Sequence, residues 1–264
     1  MADHRHKPTI AVHKFSSCDG CQLSLLNLGD NLLKLAERVD FVHFAEAGPV
    51  DEEADVDIAL VEGSISTPHE AHRIKAVRAH SKFLVTIGAC ATSGGLQALR
   101  NINDAGAWAA AVYAHPEHIS LLDKATPISD HVSVDAELWG CPVNSHQVLA
   151  LIRGWMAGVT PPRKNEKLCS ECKRINTVCV MVTRGVPCMG PVTKTGCGVL
   201  CPTYGRDCYA CYGPAENSNP ESLIARFGEL GLSAKSVKRR FLSINANAPT
   251  FARAAIRVEE SGNG

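Results

Sequence analysis

Apolar residues fall along the first 155 positions in short blocks that alternate between strand-like and helix-like spacing. Thr9–Phe15 is β-prone, and it runs at once into Ser16-Ser17-Cys18-Asp19-Gly20-Cys21. Leu23, Leu25, Leu26, Leu28, Leu32, Leu33 and Leu35 then recur at mixed three- and four-residue steps, which predicts a largely buried helix with Gly29 as its weak point. Val39–Ala45, Val56–Val61 and Phe83–Ile87 read as further strands, with a shorter one near His131–Leu138. His69–His80 reads as a helix offering Ala71, Ile74, Ala76 and Val77 for packing. A second helix opens at Asn144 or Ser145 and carries Val148, Leu149, Leu151, Ile152 and Trp155 on its apolar side.

Strands alternating with helices predict an α/β fold, a parallel sheet with helices on both faces. Ligands of such sheets gather outside the carboxyl ends of the strands. The loops Ser17–Cys21, Glu62–Pro68, Gly88–Gly95 and Gly140–Asn144 all leave predicted strands at that edge. Cys18, Cys21, Cys90 and Cys141 are remote in sequence, yet this topology brings them to one place.

Thr160-Pro-Pro-Arg-Lys-Asn165 marks a boundary, beyond which apolar periodicity fades and cysteine takes over. Cys169, Cys172, Cys179, Cys188, Cys197, Cys201, Cys208 and Cys211 are separated by 2, 6, 8, 8, 3, 6 and 2 residues, nearly a palindrome. Helical periodicity returns from Pro220 to Val258, with Leu223, Ile224, Phe227 and Leu230 on one face. Val237, Phe241, Ile244, Phe251, Ala255 and Ile256 add packing, and the tail covers either the first domain or the cysteine-rich segment. Ser261–Gly264 is expected to fray. Three parts follow: a sheet domain over 1–160, a cysteine module over 161–215 and a helical segment over 216–264.

Composition narrows the chemistry. The 264 residues are 45% hydrophobic and 20% charged, which excludes disorder along the whole chain. No apolar run approaches the roughly 18 residues of a membrane span. The N-terminus shows neither an export signal nor a twin arginine, so a cytoplasmic protein is expected. Twelve cysteines in a reducing compartment are not a disulfide framework. Metal is the leading explanation, and twelve divides into three sites of four thiolates.

Residues 1–162 carry 12 Lys and Arg against 19 Asp and Glu, whereas residues 163–211 carry 8 against 3. The basic segment holds eight of the cysteines, where positive charge offsets an anionic cluster. Lys173, Arg174, Arg184, Lys194 and Arg206 are the candidates for that role. Nucleic-acid binding needs stacking aromatics, of which the segment offers few.

Cys169-x2-Cys172 with Cys208-x2-Cys211 has the two-knuckle form of a zinc site, but it leaves the other cysteines unexplained. Cys201-Pro202 and Cys141-Pro142 point instead to iron–sulfur ligation. Cys18-Asp-Gly-Cys21, between a strand and a helix, also suits a redox dithiol, whereas the neighbouring strand-end cysteines favour ligation.

Cys18-Asp-Gly-Cys21, Glu62-Gly-Ser64, Gly88-Ala-Cys-Ala-Thr-Ser-Gly-Gly95 and Gly140-Cys-Pro142 resemble, in order and spacing, the small subunit of nickel–iron hydrogenases. The later run from Pro187-Cys188 to Cys211-Tyr-Gly-Pro214 is similar to the cytoplasmic branch of that family, which serves soluble carriers such as NADP or a deazaflavin. The resemblance covers residues from about 9 to 214. It implies a flavodoxin-like first domain whose Cys18, Cys21, Cys90 and Cys141 hold a proximal 4Fe–4S cluster. Two further 4Fe–4S clusters fall to Cys169, Cys172, Cys179, Cys188, Cys197, Cys201, Cys208 and Cys211, with the partition open.

Three clusters would then relay single electrons between a nickel–iron large subunit, where hydrogen is split, and flavin- or iron–sulfur-containing reductase subunits. This chain is expected to be the electron-transfer subunit of an enzyme, with no nucleic-acid partner and no catalytic residue of its own. Related complex I subunits have adjacent N-terminal cysteines, whereas Asp19 and Gly20 intervene here. The flanks of Cys169/Cys172 and Cys208/Cys211 do not match the nickel-binding pairs of the large subunit. With eight cysteines for two clusters no histidine ligand is required, so the eleven histidines are expected at the surface or behind the ligands. Gly20, Gly88, Gly94 and Gly140 are expected to let backbone N–H groups approach sulfur or simply to make turns.

Overall fold

The computed structural model describes residues 7–159 and 166–262. The predicted boundary Thr160–Asn165, the first six residues and the last two lie outside the described residues. The first half runs β1 (Thr9–Lys14), α1 (Gly20–Leu26), α2 (Asp30–Ala36), β2 (Asp40–Phe44), β3 (Val56–Glu62), α3 (Pro68–Ala79), β4 (Ser81–Ile87), α4 (Gly88–Ser93), α5 (Ala105–Val112), β5 (Ala136–Leu138) and α6 (Ser145–Met156). All five strands are parallel, in the order β2-β1-β3-β4-β5. That is the flavodoxin-like winding.

Alternation along the strands divides the core between two faces. Ile10, Val12, Ile58, Leu60, Val85 and Ile87 pack with Leu25 of α1 and with Val148, Leu149 and Ile152 of α6. Ala11, Ala59, Val61 and Leu84 pack on the other side against Ile74 and Val77 of α3. Thr67 and Glu70 form a capping box at the start of α3, each side chain accepting from the other's backbone N–H. Asn144 caps α6 by accepting from His146 N.

The leucine-rich run is not one buried helix. It breaks between α1 and α2 at Gly29, whose φ of 55° opposes a helix, and the kink leaves Leu23 and Leu33 exposed. The strand expected over His131–Leu138 shortens to three residues. Asp135 takes over one rung, since its N donates to Leu84 O and its carboxylate accepts from Leu84 N at 2.7 Å. Ala76 of α3 and Ile256 in the tail face outward.

Two histidines depart from the surface or ligand-backing positions expected of them. His13 on β1 and His43 on β2 are buried and stacked, with ring centroids 4.7 Å apart. Burial pushes His13 down to about 3, with the neighbouring His43 and Arg73 adding to the shift. Between pH 6.5 and 3 the unfolded chain therefore binds a proton that the folded chain refuses. Stability rises with pH across that window and is lost as pH falls. His13 is expected to remove about 2 kcal/mol at pH 5 relative to neutrality. His13→Phe, which keeps a ring on His43, should flatten the acid limb of a thermal-midpoint profile by that amount; an unchanged limb would place the acid sensitivity elsewhere.

The second half runs α7 (Leu168–Arg174), α8 (Val180–Arg184), α9 (Leu200–Thr203), α10 (Pro220–Glu229), α11 (Ala234–Phe241) and α12 (Pro249–Gly262). The tail covers the cysteine-rich segment. Leu168, Val180, Met189, Val192 and Val199 share one core with Leu223, Phe227, Val237, Phe241 and Phe251.

Candidate metal centre

Four strand ends converge on the first cysteine group. Cys18 is exposed in the β1–α1 loop, and Asp19 beside it adopts a left-handed conformation (φ 63°) that turns the chain into α1. Cys21 is buried in the first turn of that helix. Glu62, the last residue of β3 and 2% exposed, accepts from Cys21 N at 3.2 Å with Oε1 and from Gln22 N at 3.1 Å with Oε2. A carboxylate from the neighbouring strand thus satisfies two orphan donors of α1. Cys90 lies in α4, directly after β4, and Cys141 lies in the turn after β5. Ala89 N donates to Gly140 O at 2.6 Å, which binds those two segments. Val143 N donates to Cys21 Sγ at 3.5 Å.

Glycines make room for these sulfurs. A Cβ on Gly88 would sit 2.3 Å from Cys21 Sγ, and one on Gly95 would sit 2.6 Å from Cys90 Sγ. A Cβ on Gly20 would lie 3.3 Å from Cys18 Sγ. Gly94 instead faces Ala98 and Ala125, and is a turn glycine. The sequence pointed to Gly94, and its neighbour Gly95 is the residue against the sulfur. Gly140 faces Pro142 and the ring of Tyr212.

The thiols influence one another. Burial pushes Cys90 up to about 11, and the neighbouring Cys141, Cys18 and Glu62 add to it. Cys21 is raised by burial, then by Glu62, Cys90 and Cys141. Cys141 is raised by burial, then by Cys18 and Glu62. Without a cation the raised thiols stay protonated near neutral pH, and a bound metal would deprotonate those that coordinate it.

The later cysteines group along the chain. Burial raises Cys172 to about 11, and Cys169, Cys188, Cys179 and Cys197 add to the shift in that order. A Cβ on Gly190 would be 3.5 Å from both Cys169 Sγ and Cys188 Sγ. Cys201 is raised by burial and then by Cys197, and Cys211 is raised to about 11 by burial, then by Cys197, Cys141 and Cys201. Buried Cys208 is pushed up by burial and accepts from Ala210 N at 3.4 Å, while its own N donates to Cys188 Sγ at 3.3 Å. Of the five basic residues named from the sequence, Lys173 lowers Cys169 and Arg206 lowers Cys201. Arg174 pairs with Glu166, Arg184 donates to Gly205 O, and Lys194 lies over the Trp139 ring.

Among the described residues, no three cysteine sulfurs lie within 4.8 Å of one another. A tetrahedral zinc site with bonds of about 2.3 Å holds its sulfurs about 3.8 Å apart. A four-iron cube, with one iron per thiolate, spreads them wider, and the donor set of soft thiolates suits it.

Two contributors escaped the sequence. Asn245, buried in the tail, donates to Ala210 O at 2.8 Å and to Cys211 O at 3.2 Å, and accepts from Ser93 Oγ at 2.7 Å. No motif surrounds it. Tyr212 is buried between Gly140 and Gly196, whose Cβ positions would lie 2.9 and 2.5 Å from its ring. Its one signal was its place beside Cys211.

A doubly wound parallel sheet with cysteines at its carboxyl edge is joined to a second cysteine-rich unit, an α/β architecture with a thiolate-rich site. Residues 18–154 match the model of the NADH ubiquinone oxidoreductase 20 Kd subunit. The sulfhydrogenase 2 subunit delta of Pyrococcus furiosus is 33% identical over 221 residues, 84% of this chain and 92% of that one. A vhu subunit of the F420-non-reducing hydrogenase of Methanocaldococcus jannaschii is 28% identical over 257 residues, 84% of this chain and 89% of its own. A chain in the structure of an NAD+-reducing [NiFe]-hydrogenase superposes with a TM-score of 0.55 at 29% identity, over 60% of this chain and 96% of that one. The chain belongs to the 20 Kd subunit family and stands among its nickel–iron hydrogenase subunits.

Proposed function

We propose that this chain relays electrons within a nickel–iron hydrogenase, with three 4Fe–4S clusters held by its twelve cysteines. Cys18, Cys21, Cys90 and Cys141 hold the first. Cys169, Cys172, Cys179 and Cys188 hold the second, and Cys197, Cys201, Cys208 and Cys211 the third. The observation that carries this reading is the convergence of Cys18, Cys21, Cys90 and Cys141 at the carboxyl edge of the sheet, in a chain whose relatives are hydrogenase subunits. Each cluster supplies a one-electron site when bound. The chain's own residues fix the sulfurs, exclude water and set the local charge: Glu62 pins Cys21, Asn245 ties the third quartet to α4, and Tyr212 fills the gap between first and third. The three parts drawn from the sequence, 1–160, 161–215 and 216–264, remain our division by role.

The nickel-bearing large subunit seats at the edge where Cys18 is exposed. A flavin- or iron–sulfur-containing reductase seats where exposed Cys179 is flanked by exposed Val178 and Val182. Arg184, held on Gly205 O, and Arg206 make that face basic and suit an acidic partner. No helix among the described residues is long and apolar enough to cross a membrane. A cytoplasmic location fits twelve free thiols.

Iron, sulfide, zinc and nickel analysis of the anaerobically purified complex tests the reading. About twelve iron and twelve sulfide per copy of this chain, after subtracting the partners' metals, are expected, with nickel tracking the large subunit. Zinc without sulfide would overturn it. About four iron would confine it to the first quartet.

A further inference from the structure

One group of side chains already has the compactness that the cysteines lack. Among the described residues, His115, Glu117 and His118 alone bring three metal-ligating atoms within 4.8 Å of one another. They belong to His115-Pro-Glu-His118, a single 3-10 turn over Pro116–His118. Residues three apart eclipse in such a turn. The two imidazoles therefore lie on one side, with ring centroids 5.9 Å apart. Pro116 fixes its own φ at the first position of the turn. His118 N to His115 O at 3.2 Å and Ile119 N to Pro116 O at 3.0 Å close it.

His115 Nδ1 stands 3.1 Å from Glu117 Oε1, and His118 Nε2 stands 3.9 Å from the same oxygen. Bonds of about 2.0–2.1 Å in a tetrahedral site place neighbouring ligand atoms about 3.4 Å apart. The two distances bracket that value, and all three ligand atoms lie within 4.8 Å of one another. All three side chains are exposed, so an ion reaches them without any opening of the fold.

We propose that His115, Glu117 and His118 form a site for a divalent transition metal of the zinc, cobalt or nickel class, separate from the cysteines. Two imidazole nitrogens and one carboxylate suit those ions, whereas magnesium and calcium prefer oxygen alone. Three protein ligands leave at least one position for water or for a group from a docked chain.

The test is equilibrium dialysis of the untagged, iron-loaded complex against zinc under anaerobic conditions, with iron measured in the same samples. One zinc per copy of this chain is expected to bind with no loss of iron. His118→Ala, which removes one of three ligands, should weaken that binding by about tenfold or more. Glu117→Gln should weaken it in the same direction, and His131→Ala, whose ring bonds to Thr126, should leave it unchanged. Equal affinity in His118→Ala would overturn the site by placing the ion elsewhere. Zinc uptake matched by iron loss would overturn it by assigning the ion to the cysteines.

Discussion

Gly88→Ala is expected to cost the chain about four iron atoms while leaving the remainder bound. Gly88 opens α4 at φ +85°, where an L side chain is strained, and its Cβ would fall 2.3 Å from Cys21 Sγ. Neither partner can retreat. Ala89 N is bonded to Gly140 O, and Cys21 is held through its N by Glu62 and through its sulfur by Val143 N. The sulfur must therefore leave the position that faces Cys90 and Cys141. Gly190→Ala provides the contrast. Its Cβ would meet two cysteine sulfurs at 3.5 Å, an ordinary contact. Iron and sulfide per chain, read beside a far-ultraviolet circular dichroism spectrum, separate lost ligation from lost fold. Full iron in Gly88→Ala would remove Cys21 from the ligand set.

Glu62→Ala should lower the thermal midpoint by about 10 °C, because it orphans two buried N–H groups worth about 1–3 kcal/mol each. Cys21 N and Gln22 N have no other route to an acceptor within the first turn of α1. Glu62→Gln divides the effect, keeping one acceptor oxygen while removing the charge that raises the Cys21, Cys90 and Cys141 thiols. Amide hydrogen exchange at residues 21 and 22 reports the lost bonds directly. A midpoint within a degree or so of wild type in Glu62→Ala would mean that water replaces the carboxylate at no cost.

The sheet and the convergence of Cys18, Cys21, Cys90 and Cys141 were legible because short apolar runs and the loops that follow them are local signals. The role of Glu62 was not. It depends on β1 pairing with β3 so that Lys14 opposes Glu62, a register no local pattern prints. The leucine run read as one helix because its spacing fits one, while a single positive φ at Gly29 decides otherwise. Spacing could not divide the eight later cysteines, since many partitions into two groups of four fit their near-palindrome. The mutual effects of their thiols depend on how the chain folds back over α7 to α9. Asn245 joins residues 35 and 152 positions away, and nothing near it announces either.

The wedge of Tyr212 between Gly140 and Gly196 bears on how such chains can be recombined. Composition draws a seam at Thr160–Asn165, and a chimera would be cut there. Yet the ring of Tyr212 comes from one side of that seam and the space beside Gly140 from the other. A recipient with any side chain at 140 would meet the Pro142 backbone and the Tyr212 ring at under 3 Å. A chimera cut at that seam is therefore expected to fold only where glycine is kept at 140 opposite the Tyr212 ring.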